Sequence, residues 1–502
     1  MTYKAQKTIR FNREELRDKI YACWVGKNIG GTIGTPYEGS REMHDIDGFT
    51  SAPGEPLPND DLDLQLVWLI ALEHVGPWNL TTAELAEYWL ALIPPSWNEY
   101  GICKANLHAG FLPPISGELE NGPWKHSNGA WIRSEIWACL SPGYSGISRR
   151  YALQDAMVDH GIAEGTYAEI FTATLQSEAF FTSDIRRLID AALAEIPEDC
   201  RVARAVRTVL EGYDNGVDYR EVRNLLVEQS KDLGWFQAPA NIGYAVIGLL
   251  YGEGDFKKSL IYATNCGDDT DCTAATVGAT LGIMYGTAGI PKDWQAYIGD
   301  RIITKSVNGG YSYWYPQTCT ELTDRVMNMI PGVFLANNVF MEYTDGETEV
   351  DEDREKHGAS GRAILDRSPY SFDIAGTSMV QGRVTYDSAP LVDIGETLGV
   401  TLELHWTEPD RLGRNWGVYG PYWVNLEVRA PEGWEVKHQR RSYFHHTHDN
   451  FSHLPRRWEP GCRFRIELTP SANVQADNTC VLLIHAEGTV QTLTVPLKIG
   501  GK

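Results

Sequence analysis

The chain has 502 residues and a formal net charge of −23, with 43 % hydrophobic and 11 % aromatic residues. This length predicts roughly two to four domains, and the apolar content excludes global disorder. The acidity argues against nucleic acid or an anionic membrane as the main partner, because both repel a negative protein at long range. An anionic substrate would therefore have to meet local basic groups, backbone N–H groups or metal ions.

The cysteines and the amino terminus indicate a cellular compartment. Nine cysteines are scattered without CxxC spacing, and the first twenty residues are polar, with no apolar signal-peptide core. No apolar run approaches the roughly 18 residues that a membrane span needs. We predict a cytoplasmic protein with reduced thiols that contacts no membrane and no nucleic acid, and the sequence leaves its oligomeric state open.

The first two thirds of the chain carry helical periodicity. Apolar residues recur at Leu16, Ile20, Cys23 and Trp24, and this stripe ends in a run of glycines. The segment "DDLDLQLVWLIALEHVG" and five later segments follow the same pattern, with no good period-two strand between them. We predict an all-α domain over residues 1–334.

Two long stretches, 39–59 and 94–128, look irregular. Long loops inside a compact domain tend to line binding sites, although ordinary surface cover explains them equally well. The second stretch contains Trp97, Tyr100 and Trp124. Their rings would stack on a base or a sugar, and packing in the core or a lid is the alternative.

After about residue 334 the periodicity changes to alternation. "GVTLELHW", "RFRIELTP" and "TCVLLIHAEG" alternate apolar and polar residues between turn residues, which predicts half-buried antiparallel strands. We predict a β-sandwich of Ig-like size over residues 335–502. The segment "LEVRAPEGWEV" resembles the Ig-like sandwiches appended to bacterial carbohydrate-active enzymes.

A histidine- and arginine-rich segment, "RRSYFHHTHDNFSHLPRR", lies within this predicted sandwich. Together with His438, its histidines 445, 446, 448 and 453 have the residue types of a zinc site. An exposed basic loop is the favoured interpretation, and such a loop would meet an anionic ligand or cover the mouth of an active site.

Two acidic clusters carry the chemistry. Asp268, Asp269 and Asp271 crowd into "GDDTD" ahead of a helix rich in Ala and Gly. A helix N-terminus favours an anion by only about 0.3–1 kcal/mol, which does not offset the repulsion between partly buried like charges. Mg²⁺ or Mn²⁺ would offset it, because these ions prefer carboxylate oxygens.

The second cluster begins the helix after Asn59, where Asp60, Asp61 and Asp63 occupy the first turn. Taken alone, this cluster is explained by helix capping and by the preference of a helix N-terminus for acids. Paired with "GDDTD", however, they predict two acidic helix ends that face each other across a dinuclear metal site. A third segment, "GGTIGTPYEG", supplies Glu38.

These segments, with "SNGAWIRSEIWACLSPG" and "DHGIAEGTYAEIFTATLQSEAF", resemble the ADP-ribosylglycohydrolase family. That family includes dinitrogenase reductase-activating glycohydrolases and J1 crystallins. The resemblance covers about residues 10–330 and implies an all-α orthogonal helix bundle. Four departures stand out: Asn59 and Cys272 replace threonines of the family, Gly31 replaces an aspartate, and Asp268 replaces a glycine. Cys272 is a soft ligand that suits Mg²⁺ poorly.

The resemblance also implies roles for particular residues. The expected metal ligands, around two Mg²⁺ or Mn²⁺ ions, are Asn59, Asp60, Asp61, Asp269, Asp271 and Cys272. The expected catalytic residues are Glu38, Asp60, Asp61 and Asp269. The expected substrate-binding residues are Asn128, Gly129, Arg133 and His160, to which the aromatic stretch adds Trp97 and Tyr100.

The sequence thus predicts a metal-dependent hydrolase that cleaves an N- or O-linked small-molecule or protein-linked riboside at the ribose anomeric carbon. Glu38 or one of the metal ligands would accept the proton of the attacking water. Lys104, Lys125 and Arg133 are the nearby candidates for a phosphate contact. Two alternatives remain: hydrolysis of a non-ADP-ribosyl glycoside or nucleoside, and a catalytically inactive, crystallin-like binding protein.

Overall fold

The computed structural model describes residues 8–54, 56–354, 357–374, 380–406, 423–444, 461–487 and 492–502. The chain forms two compact units, one of Met1–Lys104 with Ser116–Asp366 and one of Ala105–Ile115 with Arg367–Lys502. All nine cysteines are buried and unpaired. In the described part of the chain, no helix has the length and apolar character that crossing a bilayer requires.

Helices build most of the chain before residue 366, which confirms the predicted helical fold class of the first two thirds of the sequence. They are α1 (Arg13–Gly34), α2 (Asp60–Val75), α3 (Thr82–Leu92), α4 (Asn98–His108), α5 (Ile115–Glu118), α6 (Glu135–Leu140), α7 (Ser145–His160), α8 (Glu164–Glu178), α9 (Ile185–Leu193), α10 (Arg201–Asp214), α11 (Tyr219–Ser230), α12 (Ala238–Gly252), α13 (Phe256–Asn265), α14 (Thr270–Tyr285), α15 (Lys292–Ile298), α16 (Cys319–Ala336) and α17 (Gly361–Leu365).

Two expectations about this region need correction. The stretch 94–128 is not irregular throughout, because α4 and α5 lie within it. A short parallel pair also joins β1 (Ile9–Asn12) to β2 (Met341–Thr344), so the helical unit is not free of strands. Since β2 follows residue 334 yet belongs to the helical unit, the compact unit extends beyond that residue. The boundary at 334/335 stays a prediction.

Close packing between α1 and α14 forms the centre of the helical unit. All of α14 is buried except its last residue, Tyr285. A β-carbon at Gly26 would overlap the carbonyl group of Gly278, and one at Gly278 would overlap that of Gly26. The two backbones therefore touch directly, which only glycine allows at these positions. This contact explains the small residues that follow the "GDDTD" acids.

The second unit is the predicted β-sandwich. Its strands are β3 (Ser371–Ile374), β4 (Val380–Tyr386), β5 (Leu391–Val392), β6 (Leu398–Trp406), β7 (Trp423–Arg429), β8 (Trp434–His438), β9 (Arg441–Tyr443), β10 (Cys462–Pro470), β11 (Asp477–Ala486) and β12 (Leu493–Gly501).

These strands form two five-stranded sheets, of order β3-β4-β6-β10-β8 and β5-β12-β11-β7-β9. Every pairing is antiparallel except that of β12 with β5. Buried and exposed residues alternate along β10, as two packed sheets require. The Tyr386 hydroxyl in one sheet donates a 3.1 Å hydrogen bond to the Lys498 carbonyl in the other. The histidines at 445, 446, 448 and 453 lie outside the described residues.

Candidate active site

The N-terminus of α2 presents the first acidic cluster. Asn59 has extended backbone angles, and its Oδ1 accepts a 2.8 Å hydrogen bond from the N–H of Asp61. This N-cap begins the helix so that its first turn carries the acids. Asp61 and Asp63 are fully buried, whereas the side chain of Asp60 is 19 % exposed.

The turn before α14 presents the second cluster. Asp268 has a φ of 66°, and its N–H donates a 2.7 Å hydrogen bond to the Ser40 carbonyl. Its Oδ1 accepts a 3.0 Å hydrogen bond from the N–H of Phe236. Asp268, which replaces a glycine of the resembled family, thus ties the segment after Glu38 and the segment before α12 to this turn.

The two acidic helix ends meet. The polar atoms of Asp269, Asp271 and Cys272 lie within 4.8 Å of one another, and all three residues are buried. The Cys272 thiol donates a 3.2 Å hydrogen bond to Oδ1 of Asp61, which joins the start of α14 to the start of α2. The arrangement brings together carboxylates from two distant parts of the sequence.

The close packing of these acids changes their pKa values. Burial raises the pKa of Asp61, Asp269 and Asp271 above the usual range. The charge of Asp271, together with burial, raises the pKa of Glu38 to about 7. Like charges in a poorly solvated place disfavour ionisation, so these carboxyl groups hold protons more tightly than exposed acids do.

The residues present fit a hard divalent cation. Oδ2 of Asp61 is buried and, among the described residues, has no hydrogen-bond partner. Neighbouring carboxylate oxygens form the donor set that Mg²⁺ and Mn²⁺ prefer. Burial also raises the pKa of the Cys272 thiol, which stays protonated against Asp61 and offers no soft thiolate. The cluster thus suits a cation that binds oxygen.

A cavity of about 330 Å³ opens beside the cluster. It is lined by Glu38, Asp60, Trp97, Asn98, Glu99, Tyr100, Ser127, Asn128, Gly129, Ile132, Phe236, Asp269, Asp271, Cys272 and Lys305. Most of the residues expected in the site are therefore on its wall. Asn59, Asp61, Arg133 and His160 are buried and lie outside this lining.

Arg133 and His160 support the wall from behind. The fully buried guanidinium of Arg133 lies 2.7 Å from a carboxylate oxygen of Asp155 and 2.7 Å from one of Asp159, and it also donates to the Gly129 carbonyl. His160 lies 2.9 Å from Asp159 through Nδ1 and 2.9 Å from Ser127 Oγ through Nε2. These contacts fix the shape of the 127–133 loop, while direct contact of either residue with substrate stays a prediction.

Sequence reasoning missed Glu99 and Lys305. Glu99 is 5 % exposed, and burial raises its pKa to about 7. Its neighbour Tyr100 is a weak signal, because the aromatic residues of this stretch predict a surface that stacks on a base or a sugar. The Lys305 ammonium lies 3.5 Å from Oδ1 of Asp60, and nothing in the sequence near residue 305 indicated this.

Parts of this chain are similar to known proteins. Proteins named ADP-ribosylarginine hydrolase Tri1 from Serratia proteamaculans (strain 568) and Pseudomonas putida (strain GB-1) are 38 % and 34 % identical over 50 residues. That is 10 % of this chain and 14 % of each relative, so the match spans well under two thirds of their length. A solved structure titled ADP-ribosylglycohydrolase-related protein complex is 21 % identical with a TM-score of 0.42, covering 64 % of this chain and 99 % of that one.

The family assignment is broader than these pairwise matches. The sequence profile described as ADP-ribosylglycohydrolase matches residues 12–330, which is more than half of the chain and includes both acidic helix ends. The chain therefore belongs to the ADP-ribosylglycohydrolase family.

Proposed function

We propose that this chain is a cytoplasmic, divalent-metal-dependent glycohydrolase that cleaves an N- or O-glycosidic bond at the ribose anomeric carbon of an ADP-ribosyl conjugate. The observation that carries the proposal is the meeting of two buried acidic helix ends beside a cavity whose lining includes five acidic residues. Membership of the ADP-ribosylglycohydrolase family supports it. The name of the relatives, ADP-ribosylarginine hydrolase, suggests an arginine conjugate as the first substrate to test.

Four acids would hold a pair of Mg²⁺ or Mn²⁺ ions: Asp60, Asp61, Asp269 and Asp271. Asn59 and Cys272 would lie beside them, although Oδ1 of Asn59 already caps α2. When bound, such ions lower the pKa of a coordinated water and offset negative charge that develops on oxygen. The orphaned oxygen of Asp61 and the raised pKa values of the buried acids support this assignment.

Glu38 would act as the general base. Its carboxyl group lines the cavity together with Asp60, Asp269 and Asp271, so it faces the place where the attacking water would lie and can accept a proton there. In the reaction, water oxygen bonds to the anomeric carbon, the bond from that carbon to the leaving nitrogen or oxygen breaks, and the leaving group takes a proton from solvent. The proton lost by the water goes to Glu38.

The remaining cavity residues would position the substrate. Trp97 is 49 % exposed at the wall, and Tyr100 lies beside it with ring centroids 5.8 Å apart. Aromatic faces suit the apolar side of a sugar or a base. Gly129 keeps the loop close to Glu99, because a β-carbon there would overlap the Glu99 carboxylate.

The experiment is release of free arginine from ADP-ribosylarginine by chelator-stripped protein, before and after addition of Mg²⁺ or Mn²⁺. Turnover should appear only with metal and should be lost in Asp269→Asn. Asp232→Asn is the matched control, because this exposed aspartate pairs with Arg201 on the surface. Metal-independent turnover would refute the metal role. Turnover of simple ribosides alone would refute the ADP-ribosyl substrate, and metal binding without any turnover would indicate an inactive binding protein.

A further inference from the structure

The three cationic residues that the sequence suggests for a phosphate contact already have partners within the protein. Lys104 donates to two main-chain carbonyl groups, and Lys125 pairs with Glu118. Arg133 is fully buried and pairs with two aspartates. A phosphate-bearing substrate would have to break one of these contacts to use any of the three.

Lys305 differs from them because its side chain reaches the cavity. It is the one cationic side chain among the described residues that line the cavity. Its ammonium lies 3.5 Å from Oδ1 of Asp60, and 37 % of its side chain is exposed. This ion pair is looser than the 2.7 Å contacts of Arg133, so it leaves the ammonium able to take a second partner.

The backbone at Lys305 is hydrogen-bonded to the first turn of α2. Oδ2 of the buried Asp63 accepts hydrogen bonds of 2.7 Å and 2.6 Å from the N–H groups of Lys305 and Ser306. Asp63 lies in the first turn of α2, as do Asp60 and Asp61. The third acid of this turn therefore has a separate task, which is to hold the Lys305 segment against the site.

The charge around the cavity favours a cation at its wall when the substrate is an anion. Five acidic residues line it, namely Glu38, Asp60, Glu99, Asp269 and Asp271. An anionic substrate approaching them meets repulsion that the poorly solvated wall does not screen well. A divalent ion held by Asp60 would also compete with Lys305 for the same carboxylate and so release the ammonium toward an incoming anion.

We propose that Lys305 recognises a phosphate group carried by the riboside substrate and that Asp63 positions it. This inference rests on the proposed function and deepens it, because it makes the site selective for phosphorylated ribosides. A lysine ammonium donates strong, charge-assisted hydrogen bonds to phosphate oxygen.

The test is calorimetric titration of ADP-ribose, ribose 5-phosphate and ribose into the full chain with Mg²⁺. Wild type is compared with Lys305→Met, the charge-retaining Lys305→Arg, and the exposed control Lys231→Met. Lys305→Met should weaken binding of both phosphorylated ligands by about tenfold or more and leave ribose within about twofold. Lys305→Arg should restore most of the loss. Asp63→Ala should reproduce the selective loss, and Lys305→Met carries the test by itself if Asp63→Ala does not fold.

Equal weakening for all three ligands would overturn the inference, because it would mean that Lys305 only organises the acidic cluster. Unchanged affinity for all three would overturn it as well. Since the readout is binding, it is separate from the proposed activity. Selective loss of phosphate binding in a protein that hydrolyses nothing would refute the proposed hydrolysis alone, and turnover with unchanged affinities would refute the Lys305 contact alone.

Discussion

The side-chain amide of Asn128 donates a 2.6 Å hydrogen bond to Oδ2 of Asp269. The other end of the same amide accepts a 3.0 Å hydrogen bond from the indole N–H of Trp131, which fixes its orientation. The loop before α6 thereby aims a neutral donor at one oxygen of a buried acid. Asp269 is held in place without a competing cation.

We expect Asn128→Ala to weaken Mn²⁺ binding or turnover by about 10–100-fold, because groups that orient metal ligands have effects of that size. Asn128→Asp should be at least as damaging, since it places a second carboxyl group against Asp269. Asn79→Ala is the control, because this exposed amide donates to the Val75 carbonyl and does not line the cavity. Mn²⁺ titration and initial rates measure the effect, and wild-type values in Asn128→Ala would contradict it.

Removal of metal should lower thermal stability. The buried acids repel one another or carry protons in the stripped protein, and a bound cation relieves both costs. At a free ion concentration about 100 times Kd, linkage predicts about 2.7 kcal/mol of added stability. Thermal unfolding with and without Mn²⁺ measures it. Asp269→Asn should lose the gain and the surface variant Asp214→Asn should keep it, while a wild-type protein indifferent to Mn²⁺ would exclude the site.

The helices that build the site could be predicted because their signals are local. Asn59 is a capping residue followed by acids and then an apolar run, and the structure begins α2 there. The Ala- and Gly-rich segment after the "GDDTD" acids predicts a helix, and the structure forms α14 there, buried along almost its whole length. Cap chemistry and helical spacing are properties of neighbouring residues, so a single sequence contains them.

The features of the fold and the site that the sequence does not predict depend on contacts between residues far apart in the chain. Lys305 lies at the site on a segment whose backbone is bound by Asp63, 242 positions earlier. The pairing of β1 with β2 joins four-residue strands from opposite ends of the unit, and such short strands have no clear period. The segment of α4, "NEYGICKANLH", contains a glycine and lacks an apolar stripe, so it carries little local helical signal.

The contact between α1 and α14 should tolerate no added atoms. Gly278→Val should destabilise the protein by about 1–3 kcal/mol or more, because the new side chain would collide with the backbone at Gly26. Gly309→Ala is the control, since a β-carbon there would meet no atom of the described residues within 4 Å beyond its own chain neighbours. Urea unfolding measures both variants. Equal stability of Gly278→Val and wild type would mean that the helices can separate at no cost.

Arg133 does not line the cavity, but we expect it to contribute strongly to the free energy of unfolding. Removing one partner of a buried ion pair leaves uncompensated charge, so Arg133→Met should cost about 3–5 kcal/mol. The guanidinium also lies 4.9 Å from the ring centroid of Trp89, a contact that the variant loses. Arg150→Met is the exposed control. Chemical unfolding of Arg133→Met at wild-type stability would show that Asp155 and Asp159 need no counter-charge.

The pH dependence of stability tests the buried ion pair between Asp159 and Arg133. Burial by itself would raise the pKa of Asp159, but Arg133 and His160 outweigh it and lower the pKa to about 2. A depressed pKa contributes stability that is present above the unfolded value near 4 and is lost as pH falls toward 2. Asp159→Asn should therefore be less stable than wild type at neutral pH, by on the order of 2 kcal/mol, and the gap should close between about pH 4 and pH 2. Urea unfolding across this range measures the gap, and a gap that stays constant down to pH 2 would assign the stabilisation to packing instead of charge.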